Sequence, residues 1–179
     1  PHVTEALRRV VRPGDCCVDL GAGNGYHTLT MTVAAGQNAQ NFAIELDAPR
    51  AALLRDNLTA TELAASCTAC PTPSAVSAAE ALRWLNERLA SCGVVPDLVR
   101  WGAGFDVSAA RTELRSWVAS GATRFLLSTN SGWAATIELC DYSFWRIAPD
   151  GSLFRATLAE IEEHGQKHEV HFIAAKALE

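Results

Sequence analysis

The sequence predicts one α/β domain built on an open, mostly parallel sheet. Three observations carry that prediction. Short apolar runs alternate with amphipathic segments along the chain. An apolar run leads into a Gly-x-Gly-x-Gly loop at Gly21, Gly23 and Gly25. The pattern turns strand-rich after Tyr142, which predicts an antiparallel edge. A length of 179 residues suits a single domain, residues 1–179, whose core needs no disulfide or metal to hold it.

Each element has a local reason. Pro13-Gly14-Asp15 is a turn, and Cys16 to Leu20 is a buried strand behind it. A helix begins near Gly25 or Tyr26 and ends by Gly36. Phe42 to Glu45 is the second strand. Asp47 caps a helix that has Pro49 in its first turn and carries Leu53, Leu54 and Leu58. Ser66 to Cys70 is the third strand. The prolines of Cys70-Pro71-Thr72-Pro73-Ser74 make a loop, because each removes a donor and restricts the backbone. Ser77 and Glu80 have capping-box spacing. They open a helix with Leu82, Leu85 and Leu89 on one face, stopped by Gly93. Asp97 to Trp101 is the fourth strand. Ser108 caps a helix through Leu114, Trp117 and Val118, ended by Gly121. Arg124 to Ser128 is the fifth strand, and Trp133 to Cys140 reads as a helix. Tyr142 to Ile147 and His171 to Ala175 read as strands. Asp150-Gly151, between Ile147 and Leu153, reads as a turn or a hairpin. Glu160, Glu162 and Glu163 form a solvated helix face.

Composition narrows the function classes. Apolar residues make up 49% and charged residues 20%, which describes a globular chain and excludes a disordered one. Fifteen Lys and Arg stand against 20 Asp and Glu, a net charge of -5. Duplex DNA and anionic membranes both reward a basic face, so neither nucleic acid nor membrane is expected as a partner. No apolar run approaches the roughly 20 residues that span a bilayer. The six cysteines read as free thiols of a reducing compartment, hence a cytoplasmic location. The chain begins at Pro1, without an initiator Met. We therefore expect a piece of a longer protein, with other domains of that parent as partners. Leu178-Glu179 reads either as a cloning scar or as native sequence.

The chemistry sits in Val18-Asp19-Leu20-Gly21-Ala22-Gly23-Asn24-Gly25-Tyr26. Glycines there let the backbone turn tightly and let a ligand approach it. The helix that follows offers unpaired N–H groups. Open α/β sheets bind ligands at this edge. A dinucleotide fingerprint needs Gly-x-Gly-x-x-Gly. Here the third glycine comes one place early, and Tyr26 fills the expected small-residue position. A carboxylate at Asp19 repels a pyrophosphate and attracts an ammonium, directly or through water. That favours the amino-acid moiety of S-adenosylmethionine over NAD. Glu45 ends the second strand, placed to accept bonds from ribose hydroxyls.

Residues 11–58 resemble the first half of class I S-adenosylmethionine-dependent methyltransferases, and most of all the FkbM-type family. The matching residues are Pro13-Gly14-Asp15, Val18-Asp19-Leu20-Gly21-Ala22, Gly25-Tyr26, Thr28-Leu29, Ile44-Glu45 and Leu53-Leu54-Arg55-Asp56-Asn57-Leu58. Asp141-Tyr142 through Asp150-Gly151 is similar to the family's late strand and turn. The resemblance implies a Rossmann-like three-layer sandwich. Its sheet would have seven strands, parallel apart from one reversed strand near the C-terminus. It implies S-adenosylmethionine as cofactor, held by Asp19, Gly21, Ala22, Gly23, Asn24 and Gly25 at the methionine end. Glu45 would hold the ribose and Leu46 would pack on the adenine. The acceptor it implies is a small-molecule or carbohydrate-type hydroxyl.

One stretch departs from the family. After the fourth strand such enzymes carry Lys-Ile-Asp-Val-Glu-Gly, whereas this chain has Arg100-Trp101-Gly102-Ala103-Gly104-Phe105-Asp106. Two carboxylates that face the methyl group are glycines here. His27 and Asp106 are the nearest candidates for a general base. Two alternatives therefore stay open: a methyltransferase-like module without catalysis, and a nicotinamide-dependent oxidoreductase. Cys67-x-x-Cys70 has metal spacing but no second pair, and His164, His168 and His171 cluster without sharing one face. No metal is expected at either place. Trp101 and Trp133 stand at or past strand ends, where a tryptophan can floor a cleft.

Overall fold

A computed structural model describes residues 2–71, 77–102, 105–106, 111–120, 123–128, 142–165 and 169–176. The chain opens with α1 (His2–Val10), β1 (Cys17–Leu20), α2 (Tyr26–Ala35) and β2 (Asn41–Ile44). Then come α3 (Ala48–Ala60), a 3-10 turn (Leu63–Ala65), β3 (Cys67–Ala69), α4 (Ala78–Cys92) and β4 (Leu98–Trp101). The second half holds α5 (Arg111–Ser120), β5 (Arg124–Ser128), β6 (Ser143–Ile147), β7 (Leu153–Ala156), α6 (Leu158–Gly165) and β8 (His171–Ala175).

The strands form one sheet in the order β3-β2-β1-β4-β5-β8-β6-β7. β1 pairs in parallel with β2 and β4, and the parallel pairing continues to β3 on one side and β5 on the other. β8 runs antiparallel to both β5 and β6, and β7 runs antiparallel to β6. The mostly parallel sheet with a reversed strand near the C-terminus matches expectation, with one difference. Among the described residues the sheet has eight strands, not seven, and two of them, β7 and β8, are reversed. The additional strand is the outer arm of the hairpin at Asp150-Gly151, where Asp150 Oδ1 accepts from the Ser152 backbone at 2.9 Å.

Helices cover both faces. α4, α5 and α6 supply Leu82, Leu85, Leu89, Trp117 and Ile161 to one core cluster, against Val18, Leu20, Val99, Phe125 and Phe172. α1 and α2 pack on the other face with Leu7, Val10 and Met31 against Cys17, Leu98, Leu126 and Ile173. α3 adds Leu54 and Leu58 against Ala43 and Cys67. The caps form as expected. Asp47 accepts from the Arg50 N–H at 3.1 Å, and the Ser77–Glu80 box closes in both directions. Gly93 ends α4 in the left-handed region. α1 was not legible in the sequence. It is held by Val3, Ala6, Leu7 and Val10, one buried face at helical spacing.

The loop at 72–76, the Ser108 cap, Gly121, the helix expected at Trp133 to Cys140, Asp141, His168 and Leu178-Glu179 all lie outside the described residues. Among the described residues no helix is long and apolar enough to cross a membrane.

Candidate functional site

Strand order reverses at β1, whose neighbours β2 and β4 lead off in opposite directions. Crevices at such a point, beyond the carboxyl ends of the strands, are where open α/β sheets bind ligands. The glycine loop leaves β1 there. Gly21, Gly23 and Gly25 have φ of 72°, 60° and 92°, a region closed to most side chains. Gly25 faces a second constraint, because a Cβ there would lie 2.6 Å from Leu54 Cδ1. Asn57 Nδ2 donates to the Asn24 carbonyl at 2.8 Å. The Leu54-x-x-Asn57 pair of α3 therefore packs and pins the loop.

The loop's hydrogen bonds decide what it can bind. The N–H groups of Gly21 and Ala22 both donate to the Ile44 carbonyl at 2.9 Å. The Gly25 N–H donates to the Ala22 carbonyl at 3.0 Å. The Gly23 N–H donates to Glu45 Oε2 at 2.6 Å, and Glu45 Oε1 accepts from the Asp47 N–H at 2.9 Å. Most loop donors are thus taken, which is poor chemistry for a pyrophosphate. Acceptors remain. Each Glu45 oxygen keeps a lone pair, and a carboxylate can serve about four bonds in all. The edge suits a ligand that brings donors, such as ribose hydroxyls or an ammonium.

Asp19 is 0% exposed. Its Oδ1 accepts from Arg100 Nη1 and its Oδ2 from Thr28 Oγ1, both at 2.6 Å. The register places Asp19 directly beside Arg100. A direct contact between Asp19 and a ligand is therefore not what this arrangement offers. The carboxylate instead sets the floor of the loop, its charge answered by Arg100. Sequence reasoning missed both Arg100 and Thr28. The signal was a lone cation inside the apolar strand Leu98-Val99-Arg100-Trp101, which needs a carboxylate partner once buried.

Gly102 accounts for the departure after β4. Its N–H donates to the Leu20 carbonyl at 2.6 Å, and a Cβ on it would overlap the Gly21 carbonyl oxygen. β4 and the glycine loop approach too closely for any side chain, carboxylates included. Ala103 and Gly104 lie outside the described residues. Asp106 is exposed. Trp101 does not floor a cleft. It is 2% exposed, donates from Nε1 to the Phe105 carbonyl at 3.1 Å and stacks edge-on with Phe105. Trp133 lies outside the described residues. Leu46 is partly buried against the core at the end of β2, and Ala22 is buried.

His27 stands half-buried on the first turn of α2. Burial above all, then Arg100, pushes its pKa down to about 4, against the pull of Asp19. It is neutral at pH 7 and a weak base. The folded state therefore resists a proton that the unfolded chain accepts near pH 6.5. Stability from this group is complete above about pH 6.5 and falls as pH drops toward 4, by up to about 1 kcal/mol per pH unit. Urea unfolding at pH 7 and pH 5 should show a smaller acid loss for His27→Gln than for the parent chain. Equal losses would remove His27 from this role.

Cys67 and Cys70 are buried and fall in different core clusters. Burial pushes their thiols up to about 12 and about 11. Among the described residues no three His, Cys, Asp or Glu side chains are grouped to hold a metal.

No family model and no curated protein matches the chain. Solved structures do. A protein assigned as an rRNA-methylase from Clostridium thermocellum superposes with a TM-score of 0.62 at 12% identity, over 97% of this chain and 92% of that one. An S-adenosylmethionine-dependent O-methyltransferase from Thermotoga maritima gives 0.59 at 18% identity, over 99% of this chain. The present chain spans 65% of that protein's length. Fibrillarin from Aeropyrum pernix, solved with natively bound S-adenosyl-L-methionine, gives 0.53 at 12% identity, over 97% of this chain and 73% of that one. The chain therefore has the Rossmann-like fold of these methyltransferases.

Proposed function

We propose that this domain binds S-adenosylmethionine and transfers its methyl group. One observation carries the reading. At the switch point of a methyltransferase fold, the glycine loop has most of its own N–H groups taken and presents acceptors instead. That chemistry fits a ribose and an ammonium and opposes the pyrophosphate of NAD.

The sulfonium, when bound, supplies a methyl group that needs no further activation. The chain's own residues hold and orient. Gly21, Ala22, Gly23, Asn24 and Gly25 form the cradle, with Asp19 as its buried floor. Glu45 accepts from the ribose, and Leu46 packs beside the base. In-line positioning of the acceptor supplies most of the rate. A hydroxyl acceptor of small-molecule or carbohydrate type is the one the FkbM-like residues favour. The net charge of -5 is no argument against nucleic acid on this fold, because an rRNA-methylase shares it.

A second reading is a cofactor-binding module without catalysis. Gly102 favours it, since it leaves no acid at the methyl-facing position and no room for one.

Calorimetric titration with S-adenosylhomocysteine, with NAD as control, tests the reading. Micromolar affinity for the first, about -8 kcal/mol, and none for the second is the expected result. Binding of NAD, or of neither, contradicts it. Binding without methyl transfer to any acceptor pool selects the module.

A further inference from the structure

We propose that a cavity at the carboxyl end of β6 and the amino end of the reversed β8 is a subsite for a terminal phosphate group carried by the methyl acceptor. Only the ligand's status as an acceptor rests on the methyltransferase reading; the cavity stands on its own geometry. Its volume is about 250 Å³, and its polar lining is His2, Arg146, His164, Glu169 and His171. Ligand pockets run to roughly 300–1,000 Å³, so this one takes a head group and not a whole nucleotide.

The topology explains how these side chains meet. β8 is reversed, so its first residue, His171, lies opposite Ser128 at the carboxyl end of β5. Arg146 is paired with Phe172, one step along the same edge. His171 belongs to the face that α1 covers, and His2 of α1 lies against it with ring centroids 5.2 Å apart. Arg146 alternates to the other face, where α6 supplies His164. Gly151 lets the β6–β7 turn pack close on α1, because a Cβ there would strike Glu5 and approach the His2 carbonyl. Residues from four elements thus converge on one small hollow.

The chemistry of that lining selects a phosphate. The Arg146 side chain is half-buried, its charge also acts on Glu160, and its planar fork matches a phosphate bidentately. His164 Nδ1 donates to the Glu160 carbonyl at 2.8 Å, which turns Nε2 outward. Burial first, then His2 and Arg100, hold His171 below the ordinary imidazole range, against the pull of Glu169. A phosphate brings three terminal oxygens, enough to accept from the Arg146 fork and from imidazole N–H groups of the lining at once. A planar monoanion such as acetate gains less. The reach is suitable too. β8 stands three strands from β1, about 14 Å across the sheet. An acceptor lying over β4 and β5, with its reacting atom near the glycine loop, places its far end here.

The test follows the histidine ring resonances of the whole chain by NMR while inorganic phosphate is added. Saturable shifts of His2, His164 and His171 are expected, with Arg146→Gln weakening binding at least about tenfold. His164→Asn, an exposed position away from the sheet, should weaken it too and guards against a misfolded Arg146 variant. Affinity of both variants for S-adenosylhomocysteine should stay within about twofold, since neither residue touches the glycine loop. Absence of saturable shifts, or shifts that Arg146→Gln leaves unchanged, overturns the subsite. Two further probes separate sources of phosphate. Glycerol 1-phosphate should compete, and a short oligoribonucleotide without a terminal phosphate should not. The reverse order overturns the terminal-group assignment in favour of a nucleic-acid backbone. S-adenosylhomocysteine binding without phosphate binding sinks this inference alone. Phosphate binding without S-adenosylhomocysteine binding sinks the cofactor reading and leaves the subsite.

Discussion

Arg124→Met is expected to cost about 3–5 kcal/mol of folding stability, because it strands a buried carboxylate. Arg124 is 6% exposed and Asp15 7%. Nη2 of Arg124 pairs with Asp15 Oδ2 at 2.6 Å, Nη1 donates to the Val10 carbonyl, and Nε donates to the Asp97 carbonyl at 3.2 Å. Asp15 Oδ2 also accepts from the Arg12 N–H at 2.7 Å. One guanidinium thus ties the C-terminal turn of α1, the turn before β1 and the start of β5. Methionine fills similar space but leaves Asp15 unpaired and Val10 without its donor. The double variant Asp15→Leu, Arg124→Met should recover part of the loss, because removing both partners removes the stranded charge. Urea unfolding at pH 7 measures both. A cost below about 1 kcal/mol for the single variant would mean the pair is solvated in solution.

Gly102→Ala is expected to abolish S-adenosylhomocysteine binding, by at least about 100-fold, and to destabilise the fold by about 1–3 kcal/mol. The added Cβ meets the Gly21 carbonyl oxygen, and backbone on both sides is fixed by the Gly102 to Leu20 hydrogen bond. Neither strand can yield without moving the other. Gly23→Ala is the useful contrast. Nothing lies within 4 Å of a Cβ there, so only the φ of +60° opposes it. Its stability cost should be about 1–2 kcal/mol. Thermal unfolding and calorimetry on the two variants separate collision from backbone strain. Equal, mild effects on ligand affinity would show that the β4–loop contact does not shape the site.

Much of the fold and of the ligand edge is legible in the amino-acid sequence, for local reasons. Ser77–Glu80, Asp47 with Pro49, and Gly93 state helix ends within a few residues of themselves. The glycine loop and Glu45 announce a ligand edge because so few backbones need three glycines at that spacing. What escapes is long-range. Arg124 finds Asp15 across 109 positions, and Arg100 finds Asp19 across 81. Nothing within a local window names such a partner, though a cation inside an apolar strand asks for one. α1 escapes because its only signal is one apolar face without a cap. The eighth strand is only half legible: Asp150-Gly151 suggests a turn or a hairpin, but Leu153–Ala156 is a short, largely exposed edge whose neighbour alone makes it a strand. Gly102 is legible as a departure from a family pattern, but not as a contact. Only the register of β1 against β4 shows the carbonyl it would strike.

The most direct test is a titration of the isotope-labelled domain with S-adenosylhomocysteine, read through its backbone amide resonances. Saturable shifts are expected at Gly21 to Gly25, Glu45, Leu46 and Gly102, all reporting one affinity. Shifts elsewhere with the glycine loop silent, or no shifts at millimolar ligand, would contradict a cofactor site at this loop.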